Sequence, residues 1–345
     1  MQKILNKLKI FANVATGRHL FDIYPSQVAV EVTNHCNLAC TICPHRSMTR
    51  PKGLMPLESF RRCVDRVKRH ADFIYLYGIG ESLIHPQLDE MIDYAHAAGL
   101  YTYLSTNAML MDAPWSRRLL GSKLQSLTFA FDGHTQEQYE RIRVKGRFET
   151  VIQNIRTFLQ LKRQMGSKMH VVIQIVLTDP ADEDAGDFRR LFSPAELAEV
   201  SQIRVKPFYD SFPAPSTEGS GPRRRCFFPW NFMFVYQDGR VGLCCVDYDG
   251  REILGDLTTQ SVREIWNSPA IESIRRSLHR RDYAALPLCR PCTLPDVSGL
   301  RTSMLLASAM IPTGAARKLL PLYERVFLHK KRTKRTRRGA SRKIA

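Results

Sequence analysis

The sequence predicts an α/β protein: a main domain on parallel strands, followed by a smaller α+β unit. Three observations predict it. From Val28 onward, six short β-rich segments alternate with helical stretches. A Pro-, Gly- and Ser-rich stretch, residues 210–225, then separates this part from a segment of different patterning. Both parts carry clustered cysteines, in a chain of 345 residues. That length suits one domain of about 200–250 residues and a second, smaller one.

Residues 1–24 open the chain as a basic amphipathic segment. Ile4, Leu8, Phe11 and Ala15 recur at helical spacing, with Lys3, Lys7 and Lys9 between them. Such a helix either packs on the domain by that stripe or lies on an anionic surface. The core, 25–209, contains strand segments at 28–33, 73–78, 101–107, 126–132, 170–177 and 202–208. Helical stretches fall at 57–69, 87–98 (stopped by Gly99), 135–142 and 148–162. Periodicity alone permits a barrel, a partial barrel or an open doubly wound sheet. Residues 210–225 form the linker, and the smaller unit occupies 226–296. In it, 232–243 predicts a β-hairpin turning at Asp238-Gly239, and 261–268 and 270–278 predict helices. The remainder, 297–345, predicts a helical extension, interrupted by Pro312 and Pro321, and a basic tail.

Lysine and arginine outnumber aspartate and glutamate 51 to 33, a net charge of +18. Half of that excess lies in the final stretch from Lys330 to Lys343, which holds no acid, so the body is only moderately basic. Apolar residues at 44% exclude global disorder. No apolar run approaches the roughly 20 residues of a membrane-spanning helix, and Lys7 and Lys9 interrupt any export signal. A cytoplasmic protein is expected, where clustered cysteines act as metal ligands before they act as disulfides. The basic termini suit a peripheral contact with the inner membrane face or an acidic partner; a solvated tail is the plainer alternative. No RNA-binding motif accompanies the charge, so nucleic acid is not expected.

Cys36, Cys40 and Cys43 follow the first strand within eight residues. A structural zinc site closes with four ligands. A [4Fe–4S] cubane held by three thiolates leaves one iron open to bind a small molecule. In parallel α/β folds, active sites form at this edge of the sheet.

The stretch from Glu31 to Pro44, with its CxxxCxxC spacing, resembles the signature of radical S-adenosylmethionine (radical SAM) enzymes. Three further landmarks support the resemblance in family order. Gly78-Ile79-Gly80-Glu81, continuing to His85-Pro86, is similar to the family's GGEP segment; Ser105-Thr106-Asn107 to its TNG segment; and Phe131-Asp132-Gly133, with Arg143 beyond, to the stretch around its fourth strand. The departures are Ser82 for the proline, Ala108 for the glycine, and Ala130 for a serine. The resemblance implies a partial (β/α)6 TIM-like barrel. It implies a [4Fe–4S] cluster on Cys36, Cys40 and Cys43 whose open iron binds S-adenosyl-L-methionine, and reductive cleavage to a 5′-deoxyadenosyl radical. It implies that Gly78, Gly80, Glu81, Ser105, Asn107, Asp132 and Arg143 surround that cofactor. The glycines would admit close backbone approach, Glu81 would pair with the ammonium, and Arg143 would reach the carboxylate.

Cys226, Cys244, Cys289 and Cys292 form a second set that resembles the SPASM/twitch extension of the same family. The spacing selects Cys244 over Cys245. With no cysteine after Cys292, a twitch-type domain with one auxiliary [4Fe–4S] cluster is the better match. Four thiolates leave no open iron, so such a cluster relays electrons; a zinc ribbon is the competing structure. Cys63 is expected as a core residue, and Cys245 as a core residue, a hydrogen donor or an alternative ligand.

Single-cluster twitch proteins resemble dehydrogenases of aminocyclitol alcohols. The expected function is oxidation of an alcohol in a small, sugar-like or lipid-linked molecule, with the auxiliary cluster as electron acceptor. Ribosomal-peptide maturation or epimerisation is the alternative within the family, and an electron-transfer protein without S-adenosylmethionine chemistry the alternative outside it. Arg204 and Lys206 on the sixth strand are the candidate basic or orienting groups, and Tyr77, Tyr101 and Tyr103 the candidate cavity lining. A flavodoxin- or ferredoxin-type donor would supply electrons.

Overall fold

A computed structural model describes residues 2–177, 187–207 and 226–292. Six strands pair in parallel, each with its predecessor: β1 (Gln27–Val30), β2 (Phe73–Leu76), β3 (Tyr101–Thr106), β4 (Ser126–Ala130), β5 (His170–Leu177) and β6 (Gln202–Pro207). Each new strand joins the same edge, so the winding never reverses. This is the singly wound order of a barrel-like sheet, and it excludes the doubly wound alternative.

Side-chain burial agrees. Along β3, Thr102, Leu104 and Thr106 are buried while Tyr101, Tyr103 and Ser105 are half-buried. The buried face is covered by α2 (Leu57–Val67), α3 (Leu88–Ala97), α4 (Ala113–Gly121), α5 (Gln136–Ile142), α6 (Phe148–Gln164) and α7 (Pro194–Leu197). On α2, Phe60, Cys63, Val64 and Val67 form one stripe at helical spacing and share a core with Ile74, Leu76, Leu104 and Leu127. Each such apolar side chain contributes about 1.5–3 kcal/mol on burial. Cys63 is thus a core residue, and burial pushes its thiol up to about 12.

Two differences from the expected elements have physical causes. The strands end earlier than their β-rich segments: 28–33 shortens to Gln27–Val30, and 73–78 to Phe73–Leu76. The residues released, Glu31 and Gly78 among them, turn off the ladder to build loops. The helices α4 and α7 were not expected. Each starts on a capping Asp112 or Ser193 with a proline just inside, a pattern that also marks turns.

The smaller unit contains α8 (Phe228–Asn231), β7 (Phe232–Val235), β8 (Arg240–Gly242), β9 (Ile253–Asp256), α9 (Val262–Trp266) and α10 (Pro269–Arg280). Its hairpin turns at Asp238-Gly239 as expected, and β9 adds a strand that was not. β7 pairs in parallel with β1, Ala29 opposite Phe234, so one nine-stranded sheet runs through both parts. The linker at 210–225 and the extension at 297–345 lie outside the described residues.

The first helix, α1 (Gln2–Thr16), forms as expected and does not pack by the expected stripe. Asn6, Ile10, Asn13 and Val14 are buried, whereas Ile4 and Leu8 of the expected stripe are exposed. No described helix is long and apolar enough to cross a membrane.

Candidate functional site

The loop after β1 carries Cys36, Cys40 and Cys43, and three neighbouring loops hold it. Glu81 N–H donates to the His35 carbonyl at 2.8 Å, and Thr41 N–H and Ala39 N–H donate to Ile142 and Val144 at 2.9 Å. The Asn107 side chain donates to Asn37 at 2.9 Å. The ends of β2, β3 and α5 therefore converge on the cysteine loop. Closeness here depends on Gly80, where a Cβ would stand 2.4 Å from the Thr33 carbonyl oxygen and 2.6 Å from that of His35. A Cβ on Gly78 would meet the Glu31 side chain at 2.6 Å. On the side where a Cβ would project, both glycines make room for protein.

Glu81 is 3% exposed and acts as a hub. Its Oε1 accepts from Thr106 at 2.8 Å and from Leu83 N–H, and its Oε2 accepts from Asn107 N–H at 2.8 Å. Burial raises its pKa, with these hydrogen bonds opposing. Arg143 Nη1 lies 3.6 Å from Cys40 Sγ, and Nη2 pairs with Asp132, whose other oxygen accepts from Val176 N–H. Burial disfavours the Arg143 charge, but Asp132 and Cys40 hold its pKa above the ordinary value. Its buried Nε has no hydrogen-bond partner. Ser105 lies half-buried on the inner sheet face, opposite Thr128.

The donor set fits an iron–sulfur cluster. All nine cysteines are free thiols. Burial raises Cys36 to about 11 and raises Cys43, and Cys36 stands within electrostatic reach of both its partners. Soft thiolates are the ligands of such clusters. Among the described residues no three His, Cys, Asp or Glu side chains converge on one metal ion; thiolates of a cubane bind separate irons and need no common centre. For S-adenosylmethionine, the Arg143 guanidinium held beside Cys40 is a cation suited to an anionic group of the ligand.

The second set is gathered from three segments: Cys226 before α8, Cys244 after β8, and Cys289 and Cys292 on turns after α10. Burial raises Cys226 and Cys244, and the neighbouring thiols add to it: Cys289, Cys292 and Cys245 act on Cys226, and Cys245, Cys226 and Cys289 on Cys244. Cys245, which spacing set aside, thus lies within reach of this set. It also packs with Ala29, Phe232 and Tyr75 on the inner face of the sheet, and its charge acts on Tyr77.

That inner face carries a cluster of tyrosines. The ring centroids of Tyr75 and Tyr103 are 5.3 Å apart, Tyr77 and Tyr103 6.0 Å, and Tyr75 and Tyr77 5.7 Å. Tyr101 lies one step down the same face, 5.5 Å from Phe73. Arg204 on β6 sits opposite Gln174, and its charge reaches Tyr77. Lys206 pairs in register with Val176; its side chain lies outside the described residues. Tyr75 and Phe232 (6.1 Å) belong to this lining and were missed. For Tyr75 the signal was present, since a period of two along Phe73–Leu76 puts it on the face of Tyr77.

A buried strap joins the two cysteine loops. Arg50 donates both Nη groups to Glu31 at 3.0 Å, Nη1 to Gln237 at 3.1 Å, and Nε to the Tyr248 carbonyl at 2.7 Å. Its guanidinium stacks 4.3 Å from the Tyr236 ring centroid. Beside it, Thr49 N–H donates to Asp249 at 2.7 Å. The strap thus runs from just beyond Cys43 to just beyond Cys245. No sequence signal marked Arg50, because a loop arginine is usually a solvated charge.

Residues 30–191 match the family model of the radical SAM superfamily, and residues 226–293 match SPASM, an iron–sulfur cluster-binding domain. The chain is 29% identical over 143 residues to the mycofactocin maturase MftC of Mycobacterium tuberculosis, covering 41% of this chain and only 36% of that protein. It is 24% identical over 295 residues to the AdoMet-dependent heme synthase of Methanosarcina barkeri, covering 72% of this chain and 83% of that protein. Among solved structures, SuiB of Streptococcus suis bound to precursor peptide SuiA shares the fold at TM-score 0.60 and 12% identity, covering 78% of this chain and 70% of that one. BtrN in complex with AdoMet and 2-DOIA does so at TM-score 0.53 and 16% identity, covering 79% and 94%.

Proposed function

The chain belongs to the radical SAM superfamily, and from that premise we propose that it oxidises an alcohol carbon of a small, sugar-like or lipid-linked molecule. When bound, the first cluster and S-adenosylmethionine supply a 5′-deoxyadenosyl radical that takes the carbinol hydrogen, and the auxiliary cluster supplies the acceptor for the second electron. The remaining proton, on the hydroxyl, leaves to a base. Arg143, its guanidinium beside Cys40, would hold the cofactor carboxylate. Asp132 keeps that guanidinium aimed, and Glu81 and Asn107 fix the loops on which the thiolates stand. Arg204, always charged, orients the alcohol oxygen, and Lys206 is the candidate for the proton acceptor. The tyrosine-lined face excludes water from the reacting carbon.

The observation that carries this reading is the tyrosine cluster's relation to the second cysteine set: Tyr77 lies within electrostatic reach of both Cys245 and Arg204. The reading takes further support from BtrN, whose structure holds AdoMet and 2-DOIA. A second reading, modification of a peptide, rests on the mycofactocin maturases and on the SuiB complex with its precursor peptide. An acidic flavodoxin or ferredoxin is the proposed electron donor.

The test is anaerobic reconstitution with iron counted, followed by reduction with candidate aminocyclitols and sugar alcohols deuterated at the carbinol carbon. About eight irons per chain are expected for two cubanes, with deuterium in 5′-deoxyadenosine and one ketone per S-adenosylmethionine consumed. Deuterium transfer only from a peptide would replace this reading with the second.

A further inference from the structure

A surface helix packs on its domain by its apolar face. The first helix buries only part of its apolar surface, Ile10 and Val14, and packs by a mixed face. Its inward side carries Lys3, Asn6, Lys7, Ile10, Asn13 and Val14. Asn6 exchanges hydrogen bonds with the Tyr24 backbone at 2.8 and 2.9 Å. Asn13 donates to the Phe21 carbonyl at 2.8 Å and accepts from Leu20 and Phe21 N–H. Lys7 pairs with Asp72 at 2.9 Å. These bonds fix the roll of the helix and direct Ile4, Leu5 and Leu8 outward, at 46%, 52% and 47% exposure. Leu20 and Phe21, on the segment the asparagines hold, are exposed at 47% and 45%. Of eight exposed large hydrophobic side chains among the described residues, five fall in this one segment. Single exposed leucines need no explanation, but a contiguous group marks a contact surface.

The charges around this face indicate what it contacts. Lys9 sits 5.9 Å from the Phe21 ring centroid, next to the apolar group. The cleft where α1 meets α10 is lined by Arg18, His19, Arg275 and Arg276, with Glu272 the one acid. An apolar face flanked by Lys9, with the exposed Arg18 and Arg276 along the adjoining cleft, complements a bilayer boundary, acyl chains under the leucines and phosphates beside those three cations. We propose that α1, with Leu20 and Phe21, docks this enzyme on an anionic lipid surface, its apolar face turned into the lipid. The asparagine-bonded face stays on the body, so docking requires no rearrangement of the barrel.

The test uses the full-length reconstituted protein and sedimentation with phosphatidylcholine vesicles made with and without phosphatidylglycerol. Wild type is expected to bind only the anionic vesicles. The variant Ile4→Glu/Leu5→Glu/Leu8→Glu should bind about tenfold more weakly or worse, with thermal unfolding unchanged because the three positions are exposed. In a second measurement, Leu8→Trp should be quenched by brominated acyl chains beyond the quenching of wild type. Four results would overturn the proposal: no binding by wild type; full binding by the triple variant with loss only on deletion of residues 329–345; no added quenching at position 8; or a wild-type dimer that the triple variant dissociates in the absence of lipid.

Discussion

The two cysteine sets are built in different ways. The first lies on one loop of eight residues, next to a cation: Arg143 Nη1 is 3.6 Å from Cys40 Sγ. The second is drawn from three distant segments, and after burial the charges acting on Cys226 and Cys244 are those of other thiols. A site with its own cation and three thiols suits an open, ligand-binding iron. Crowded, buried thiols favour the neutral form until a cluster binds. The first set is therefore a local motif, whereas the second exists only once the chain has folded.

The sharpest way to break this comparison is to remove each set. Cys36→Ala/Cys40→Ala/Cys43→Ala should abolish S-adenosylmethionine cleavage while about four irons per chain remain. Cys289→Ala/Cys292→Ala should spare reductive cleavage, measured as 5′-deoxyadenosine, and stop product formation; unchanged product would remove any role for the second set. The strap between the sets comes next. Arg50→Met leaves the carboxylate of Glu31, fully buried, without its partner. The expected loss is about 3–5 kcal/mol of stability, read from denaturant unfolding. Arg143→Gln should weaken S-adenosylmethionine binding about tenfold by calorimetry, with both clusters retained, since a charge-assisted hydrogen bond is worth roughly 1.5–3 kcal/mol. The smallest effect is expected at Ala108, which stands where the family has glycine and holds a left-handed φ of 61°. Ala108→Gly should relieve that strain and raise stability by up to about 1 kcal/mol, read as a small rise in Tm.

Much of the site was legible because its chemistry is local. Three thiols at set spacing after a strand, a Gly-Glu segment after the next and an Asn after the third each announce themselves within a few residues. The role of Glu81 was less legible. The resemblance implied a partner for an ammonium; the fold adds that both carboxylate oxygens also accept from Thr106, Leu83 and Asn107, a structural role no local pattern announced. Tyr75 could have been found by counting in twos, while Arg50 and Gln237 carried no signal. The helix α1 shows the limit most plainly. Its periodicity left two orientations open, and the structure chose between them: two asparagines bonded to the chain at Tyr24 and Phe21, with Ile10 and Val14 beside them in the core, turn the leucine stripe outward.

By itself the sequence determined the alternation of strand and helix, the hairpin at Asp238-Gly239 and the cysteine spacings, all set by interactions among near neighbours in the chain. Only the tertiary structure decided the rest: that the strands add along one edge, that β7 joins β1, that cysteines from three distant segments come within electrostatic reach of one another, and that Arg50 ties one cysteine loop to the other. These depend on contacts between residues far apart in the chain, such as Arg50 and Tyr248, 198 positions apart. Hydrophobic pattern records which residues leave water, but not which partner they or a buried charge will meet.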